Sequence, residues 1–324
     1  MDGWRPGASA RTLRARAEVF RAIRDFFHAR GVIEVDTPLI GRFGVSDPAI
    51  EPLFVSAPRD AIAARRFLQT SPEFAMKRLL AAGSGPIYQL GKAFRAAEEG
   101  SRHNPEFTML EWYRPGFDLD QLAAEVADLL GDCLGALGRP LPAVSTAAYA
   151  ELFEEVLALD PHSAETDCLA AAAAAFTDVS GLVLDRDGWL DLLMSHAVEP
   201  ALRDRGLVVV KDYPASQAAL ARCVERDGRR VADRCEVFLG GVELANGYRE
   251  LLDPQVHRER AAVDNARRRA AGLEERKLDP RLLDALSSGL PDCSGVALGV
   301  DRLLMHALGA DRLDEVLPFS WGRA

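Results

Sequence analysis

Residues 94–113 read FRAAEEGSRHNPEFTMLEWY and gather an arginine, several carboxylates, a histidine, an asparagine and aromatic rings into one short stretch. Strand spacing sorts them. Side chains two apart share a face, so Phe107, Met109, Glu111 and Tyr113 point together while Thr108, Leu110 and Trp112 point away. One face then offers an aromatic plate, a carboxylate and a phenol. That set suits stacking of a flat base at one end and capture of a cation at the other. Taken alone, Glu111 reads more simply as a glutamate paired with an arginine on a half-buried strand.

Two further stretches carry chemistry. Residues 236–250 read EVFLGGVELANGYRE. Asn246, Tyr248 and Glu250 share parity, whereas Glu236 and Glu243 do not share it with each other. For all of them to face one site, the chain needs a turn near Gly240–Gly241 and a bulge or kink near Asn246–Gly247. Glu236 and Glu243 offer the hard oxygens that Mg²⁺ takes beside substrate phosphates; glutamates on an exposed hairpin are the plainer reading. Residues 295–309, GVALGVDRLLMHALG, place Arg302 just after a glycine-rich strand, an arrangement that fits phosphate binding.

The elements that must position these residues follow from periodicity. Residues 11–30 have the spacing of an amphipathic helix through Leu13, Ala17, Phe20, Ile23, Phe26 and Phe27, ended by Gly31 at its C′ position. Residues 32–40 alternate like a strand and carry Pro38. Residues 67–74 read as a short strand entering a helix, with Ser71 as cap and Pro72 in the first turn. Strands are expected at 87–95, 106–114, 207–211, 235–241 and 242–251. Helices are expected at 119–138, through most of 146–206, and at 256–276, the last as a charged, solvated surface. Alanine is the best helix former, so the tract at 170–175 reads as an ordinary helix.

Composition narrows the class. The chain has 324 residues, 48% of them hydrophobic, enough for a packed core. Its net charge of −10 is a poor basis for general nucleic-acid binding. The first thirty residues nevertheless hold seven arginines against three acids, a face for phosphates or an acidic partner, or simply a solvated helix face. Cys133, Cys168, Cys223, Cys235 and Cys293 are scattered, without metal spacing, which suggests reduced thiols in a cytoplasmic protein. The N-terminus lacks a signal-peptide core, and the longest apolar run, residues 169–176, is too short to span a bilayer.

Together, the 94–113 and 295–309 stretches resemble motifs 2 and 3 of class II aminoacyl-tRNA synthetases of the lysyl branch. Within that branch the chain is most similar to the short paralogues that ligate β-lysine to elongation factor P. The resemblance covers nearly the whole chain, with motif 1 at about 11–40, motif 2 at about 87–115 and motif 3 at about 293–309. It implies an α+β fold: a single catalytic domain over 1–324 whose antiparallel sheet is flanked by helices. It also implies ATP and Mg²⁺, an acyl-adenylate intermediate, and a twofold homodimer built on motif 1.

The resemblance assigns roles residue by residue. Arg95 resembles the arginine that contacts the α-phosphate and the substrate carboxylate, and Arg302 the one that binds the γ-phosphate. Phe107 resembles the adenine-stacking residue, while His103 and Asn104 lie in the loop lining the ATP site. Glu236 and Glu243 match the metal-binding carboxylates. Glu73 matches the acid holding the amino group near the reaction centre, and Asn246 the amide near the carboxylate. Glu111, Tyr113 and Glu250 match the pocket for the distant ammonium.

Two departures qualify these assignments. The family's motif 2 reads Arg-x-Glu, but here Ala97 stands at the glutamate position and Glu98 follows, so Glu98 needs a local irregularity to take that role in ATP binding. Lysyl-tRNA synthetases have glycine where this chain has Ala297, and the β-lysine ligases resemble this chain; a methyl group on the pocket floor favours an amino group one carbon further along. Lysyl-tRNA synthetases also place an anticodon-binding OB domain before motif 1, whereas about ten residues precede the first helix here, so no OB domain and no tRNA substrate are expected. The competing readings are a truncated lysyl-tRNA synthetase-like enzyme activating α-lysine, and a non-catalytic paralogue acting as a regulatory subunit. Retention of Arg95, Glu236, Glu243 and Arg302 argues against the latter.

Overall fold

The computed structural model describes residues 4–56, 65–96 and 98–324. Ala97 lies outside the described residues, and with it the expectation attached to that position. The architecture is a nine-stranded, mostly antiparallel sheet flanked by helices, with a small three-stranded sheet beside it. Along the large sheet the order is Ile33–Glu34, Ile87–Phe94, Glu106–Pro115, Cys293–Gly299, Val242–Arg249, Arg229–Leu239, Leu207–Pro214 and Val144–Ala148, with Cys223–Arg226 pairing on Arg229–Leu239. The first and last of the ordered pairings are parallel.

Motifs 2 and 3 are therefore neighbours although about 180 residues separate them in the chain. The alternation expected of the Glu106–Pro115 strand decides which side is core. Leu110 and Trp112 are fully buried against Val19, Ile23 and Phe27 of the helix Ala10–Ala29 and against the helix Leu119–Ala136. Glu111 and Tyr113 occupy the opposite face. A second apolar cluster seats the helices Tyr149–Leu157, Thr166–Ala173 and Arg186–Leu193 on Val208, Val210 and Phe238. A third packs the helices Glu73–Ala81 and Pro280–Gly289 on Ile87, Tyr113 and Cys293.

The first helix begins one residue early, because Ser9 accepts from Thr12 N (3.1 Å) and caps it. Its buried face is Ala15, Val19, Ile23, Phe26 and Phe27; Leu13 and Ala17, expected inward, are exposed, a small rotation that the 3.6-residue period tolerates. Residues 32–40 contain only the two-residue strands that begin at Ile33 and end beyond at Gly41. Within the stretch expected to be mostly helical, Val144–Ala148 is a strand. The charged helix Pro254–Ala270 is not wholly solvated: Arg268 is fully buried and donates to Glu51 Oε2 (2.7 Å).

The hairpin turn falls at Gly240–Gly241, as expected. Both residues have positive φ (+60° and +72°), the twist that two-residue hairpins favour. At Gly241 a Cβ would also sit 2.6 Å from the Glu199 carbonyl oxygen. The irregularity, however, lies between Val237 and Phe238 and not at Asn246–Gly247. The extra residue falls nearer the turn, so Asn246 pairs directly opposite Glu236.

Candidate active site

Sheet register assembles the site floor. Residues directly opposite one another on neighbouring strands share a face, so one row runs Gln89, Glu111, Ala297, Asn246, Glu236 across five strands. The adjacent row runs Ile87, Tyr113, Gly295, Tyr248, Arg234. Above them opens a cavity of about 600 Å³. Of the candidate residues, it is lined by Arg95, Glu98, His103, Asn104, Phe107 and Arg302, by Glu73, Glu111, Tyr113, Asn246, Glu250 and Ala297, and by Glu243, but not by Glu236. Phe107 and Tyr113 stand six residues apart on one strand, roughly 20 Å at the usual rise per residue, so the cavity has two separate ends.

The Tyr113 end is dry and acidic. Glu111 is 3% exposed and Glu250 is 1% exposed. Glu111 accepts from Ser71 Oγ (2.6 Å) through Oε2 and from Tyr113 OH (2.7 Å) through Oε1. Ser71 also accepts from Glu73 N (3.0 Å), so the residue expected to cap this helix orients a carboxylate as well. Burial, and then the charge of Glu73, pushes Glu111 up to about 8. Burial pushes Glu250 up to about 7, opposed by the ammonium of Lys77. Both carboxyls therefore hold protons at pH values where exposed ones have lost them, because burial disfavours the charged form.

Sequence reasoning passed over two residues here. Lys77 is completely buried, with Nζ 2.5 Å from Glu73 Oε1 and 2.6 Å from Glu250 Oε2. The contact with Glu250 is off-axis, since Oε2 is buried with no aligned hydrogen-bond partner. The one available signal was the spacing from Glu73, four residues along the same helix. The second is Gly295, where a Cβ would run into the Tyr113 ring and come 2.7 Å from Glu250 Oε1. The close approach of ring and carboxylate requires glycine there.

The Phe107 end is more open and basic. Arg95 donates to Glu98 Oε1 (3.1 Å), lies 5.2 Å from the Phe107 ring centroid, and keeps a buried Nε without an acceptor. Arg302, at the start of the helix Val300–Leu308, donates to the Glu243 carbonyl (2.9 Å) and to Glu243 Oε2 (3.1 Å), and its other terminal nitrogen meets His103 Nε2 (2.7 Å). Burial, then the Arg302 charge, lowers the His103 pKa, which favours a neutral ring able to accept that bond. Arg16 clamps the two motifs from the first helix: it donates to Asp301 Oδ1 (2.5 Å) and Thr108 Oγ1 (2.5 Å), while Thr108 N donates to Asp301 Oδ2 (2.7 Å).

Asn104 borders the cavity, but its amide is already used. It donates to the Glu106 carbonyl (2.6 Å) and accepts from Trp321 N (2.8 Å), tying the C-terminal segment to the motif 2 loop. Glu236 is likewise engaged, by Arg234, by Asn246 Nδ2 (3.2 Å) and by Tyr213 OH (2.6 Å). No group of three or more His, Cys, Asp or Glu residues placed to hold a metal occurs among the described residues. Glu236 is thus enclosed by three donors, and Glu243 is paired with Arg302.

The family model described as tRNA synthetases class II (D, K and N) matches residues 2–322. The chain is 47% identical over 321 residues to an elongation factor P–(R)-β-lysine ligase of Pasteurella multocida, covering 98% of this chain and 97% of that one. It is also 47% identical over 329 residues to the ligase of the same name from Edwardsiella ictaluri, covering 100% and 99%, and 44% identical over 322 residues to that of Haemophilus influenzae, covering 99% and 98%. The chain thus belongs to the class II tRNA synthetase family, among relatives that carry the name of β-lysine ligases.

Proposed function

We propose that this protein activates (R)-β-lysine with ATP and transfers it to a lysine side chain of elongation factor P. The observation that carries the reading is the polarity of the cleft: Arg95 and Arg302 at one end, buried Glu111 and Glu250 at the other. An amino acid with a terminal ammonium fits it lengthwise, cation toward the acids and carboxylate toward the arginines. The names of the relatives supply the substrate and acceptor. Ala297, between Glu111 and Asn246 on the floor, supports a substrate whose amino group lies one carbon further along.

In this reading ATP lies across the open end. The substrate carboxylate attacks the α-phosphorus and pyrophosphate leaves. Arg95 offsets the charge that develops at the α-phosphate, and its buried unpaired Nε is the donor awaiting an acceptor. Arg302 turns from Glu243 to the γ-phosphate. Magnesium would accompany ATP as its counter-ion, and Glu243 would be the carboxylate to hold it, offsetting phosphate charge. Phe107 supports the base, with Glu98 and His103 beside it. Glu73 and Asn246 flank the amino and carboxylate groups, and Tyr113 with Glu111 and Glu250 receives the distant ammonium. A neutral lysine amine of the acceptor then attacks the acyl carbon and AMP departs. Positioning carries most of the rate.

The span 1–324 would act as one catalytic domain and as an isologous homodimer; exposed Ile33, Leu39 and Ile40 beside the first helix give such an interface apolar surface. A net charge of −10 argues against tRNA as acceptor. No helix among the described residues is long and apolar enough to cross a membrane, and the five cysteines are free thiols, in keeping with a reducing cytoplasm. Mass spectrometry of elongation factor P after incubation with the protein, ATP and either lysine isomer tests the reading. A mass gain is expected, larger with β-lysine; charging of tRNA without that gain would overturn it.

A further inference from the structure

Lys77 is a buried charged group for which the proposed reaction has no use. It does not line the cavity, yet it contacts two carboxylates that do, Glu73 and Glu250. From the activation of a diamino acid proposed above, we infer that Lys77 is a positioning residue that sets the charge of the pocket, cancelling one of the three carboxylates Glu73, Glu111 and Glu250 so that two negative charges remain for a substrate bearing two ammonium groups.

The count applies once a dication has displaced the protons that Glu111 and Glu250 hold in the empty pocket, and the nearby imidazole, thiol and phenols add no charge to it. His257, from the helix Pro254–Ala270, is pushed down to about 3 by burial and then by Lys77 itself. Cys293, from the strand behind, is pushed up to about 12 by burial. Burial also raises Tyr113 and Tyr248, which keeps both phenols protonated. Arg222 acts on Glu250 from a distance but is itself paired with Asp292 at the surface. Burial alone would drive the proton off Lys77; Glu250 and Glu73 outweigh it and hold the ammonium charged.

Geometry explains why a lysine and not water does this. Glu73 opens its helix and Lys77 lies one turn on, so the side chain runs back toward Glu73 beneath the pocket wall. Its stem is enclosed and its head meets Glu250 at the end of the hairpin strand. The ammonium thus fixes the spacing of two acids on different elements. Without it, Glu250 would hold its proton more firmly and the pocket would lose its preference for a dication. A substrate carboxylate adds no charge to the count, since it faces Arg95 at the other end.

The test compares Lys77→Met with the double variant Lys77→Met/Glu250→Gln, whose pocket regains the native balance of two charges. In Lys77→Met, the infrared band of protonated carboxyls in the substrate-free protein should persist to higher pH. The pH at which KM for the diamino acid improves should rise with it, by on the order of tenfold in proton concentration for each unit by which the carboxyl pKa rises, while kcat changes less. In the double variant that midpoint should return toward the native one, although KM itself stays raised. An unmoved band and an unmoved midpoint in Lys77→Met overturn the inference, as does equal collapse of both variants, which would mark a packing role. The infrared arm needs no substrate: a shifted band without exchange for any diamino acid removes the substrate reading and the charge matching with it, whereas an unmoved band with normal exchange removes the role of Lys77 alone.

Discussion

The two ends of the cleft are built on opposite principles. At the Tyr113 end the polar groups are fixed by one another: Glu111 is held by Ser71 and Tyr113, and fully buried Lys77 bridges Glu73 and Glu250. At the Phe107 end the arginines are held provisionally, Arg302 by Glu243 and His103 and Arg95 by Glu98, with one nitrogen unpaired. The enclosed end resembles a lock cut before the key arrives. The open end must exchange its partners for phosphate when ATP binds. Specificity should therefore reside in the first region and rate in the second.

The largest break in that comparison comes from the open end. Arg302→Ala removes a charge that would face the leaving pyrophosphate, and loss of one such donor costs about 10²–10³-fold in rate. ATP–pyrophosphate exchange should fall by about that factor with every amino acid tested. Normal exchange together with unchanged ATP affinity by calorimetry would show that Arg302 serves only to hold Glu243 and His103.

At the enclosed end the effect should be smaller, selective, and coupled to stability. Glu111→Gln replaces a charge-assisted contact of ~1.5–3 kcal/mol, so use of diamino acids should fall roughly 10–150-fold. The sign of its pH effect is opposite to that of a salt-bridged carboxylate. The folded, empty protein holds the Glu111 proton up to about 8, whereas the unfolded chain releases it near the ordinary value of 4.5. The stability this group contributes is complete below 4.5 and is lost as pH rises to about 8. Thermal unfolding should therefore show Glu111→Gln gaining stability relative to the native protein at pH 8 and not at pH 4. A constant difference across that range would mean the carboxyl is ionised in the empty pocket.

The same contrast explains what could be read from the chain. Part of the open end was legible because Arg95, His103 and Phe107 fall in one stretch, and strand parity alone separated Glu111 and Tyr113 of the enclosed end from Leu110 and Trp112. The enclosed end was legible only in part. Glu250 had the right parity, but its partner Lys77 comes from a helix about 170 residues earlier, and no local pattern reports a contact across that distance. Bulge position was misjudged for a related reason. Glycines mark where a backbone can bend, not where the neighbouring strand makes it bend, and here it bends at Val237–Phe238. The fold itself was more accessible, since alternation and capping are local; the rotated face of the first helix shows the limit, as Leu13 is apolar yet exposed.

Between the two ends sits Ala297, and its substitution should shift selectivity with little change in overall rate. It lies directly opposite Glu111 on one side and Asn246 on the other. Ala297→Gly frees the volume of one methyl group, a change worth ~1–3 kcal/mol in a fitted pocket. The ratio of kcat/KM for α-lysine over β-lysine should rise by roughly 10–200-fold, and competition between the two isomers in pyrophosphate exchange measures it. If that ratio stays fixed, the methyl group is packing and isomer choice is made elsewhere in the pocket.

The smallest effect on activity should come from Asn104, the cavity residue whose amide faces its own chain. Its Nδ2 donates to the Glu106 carbonyl and its Oδ1 accepts from Trp321 N, so both ends are occupied before any nucleotide arrives. Asn104→Ala removes two hydrogen bonds worth ~0.5–1.5 kcal/mol each and leaves the Glu106 carbonyl and Trp321 N without those partners. The melting temperature should fall while KM for ATP stays within about twofold of native, since twofold corresponds to less than half a kcal/mol. If KM for ATP rises tenfold with an unchanged melting temperature, the side chain must leave Glu106 and Trp321 to bind nucleotide. Asn104 would then belong with Arg95 and Arg302 among the groups that change partners when ATP enters, and the open end would extend to the C-terminal segment that Asn104 now anchors.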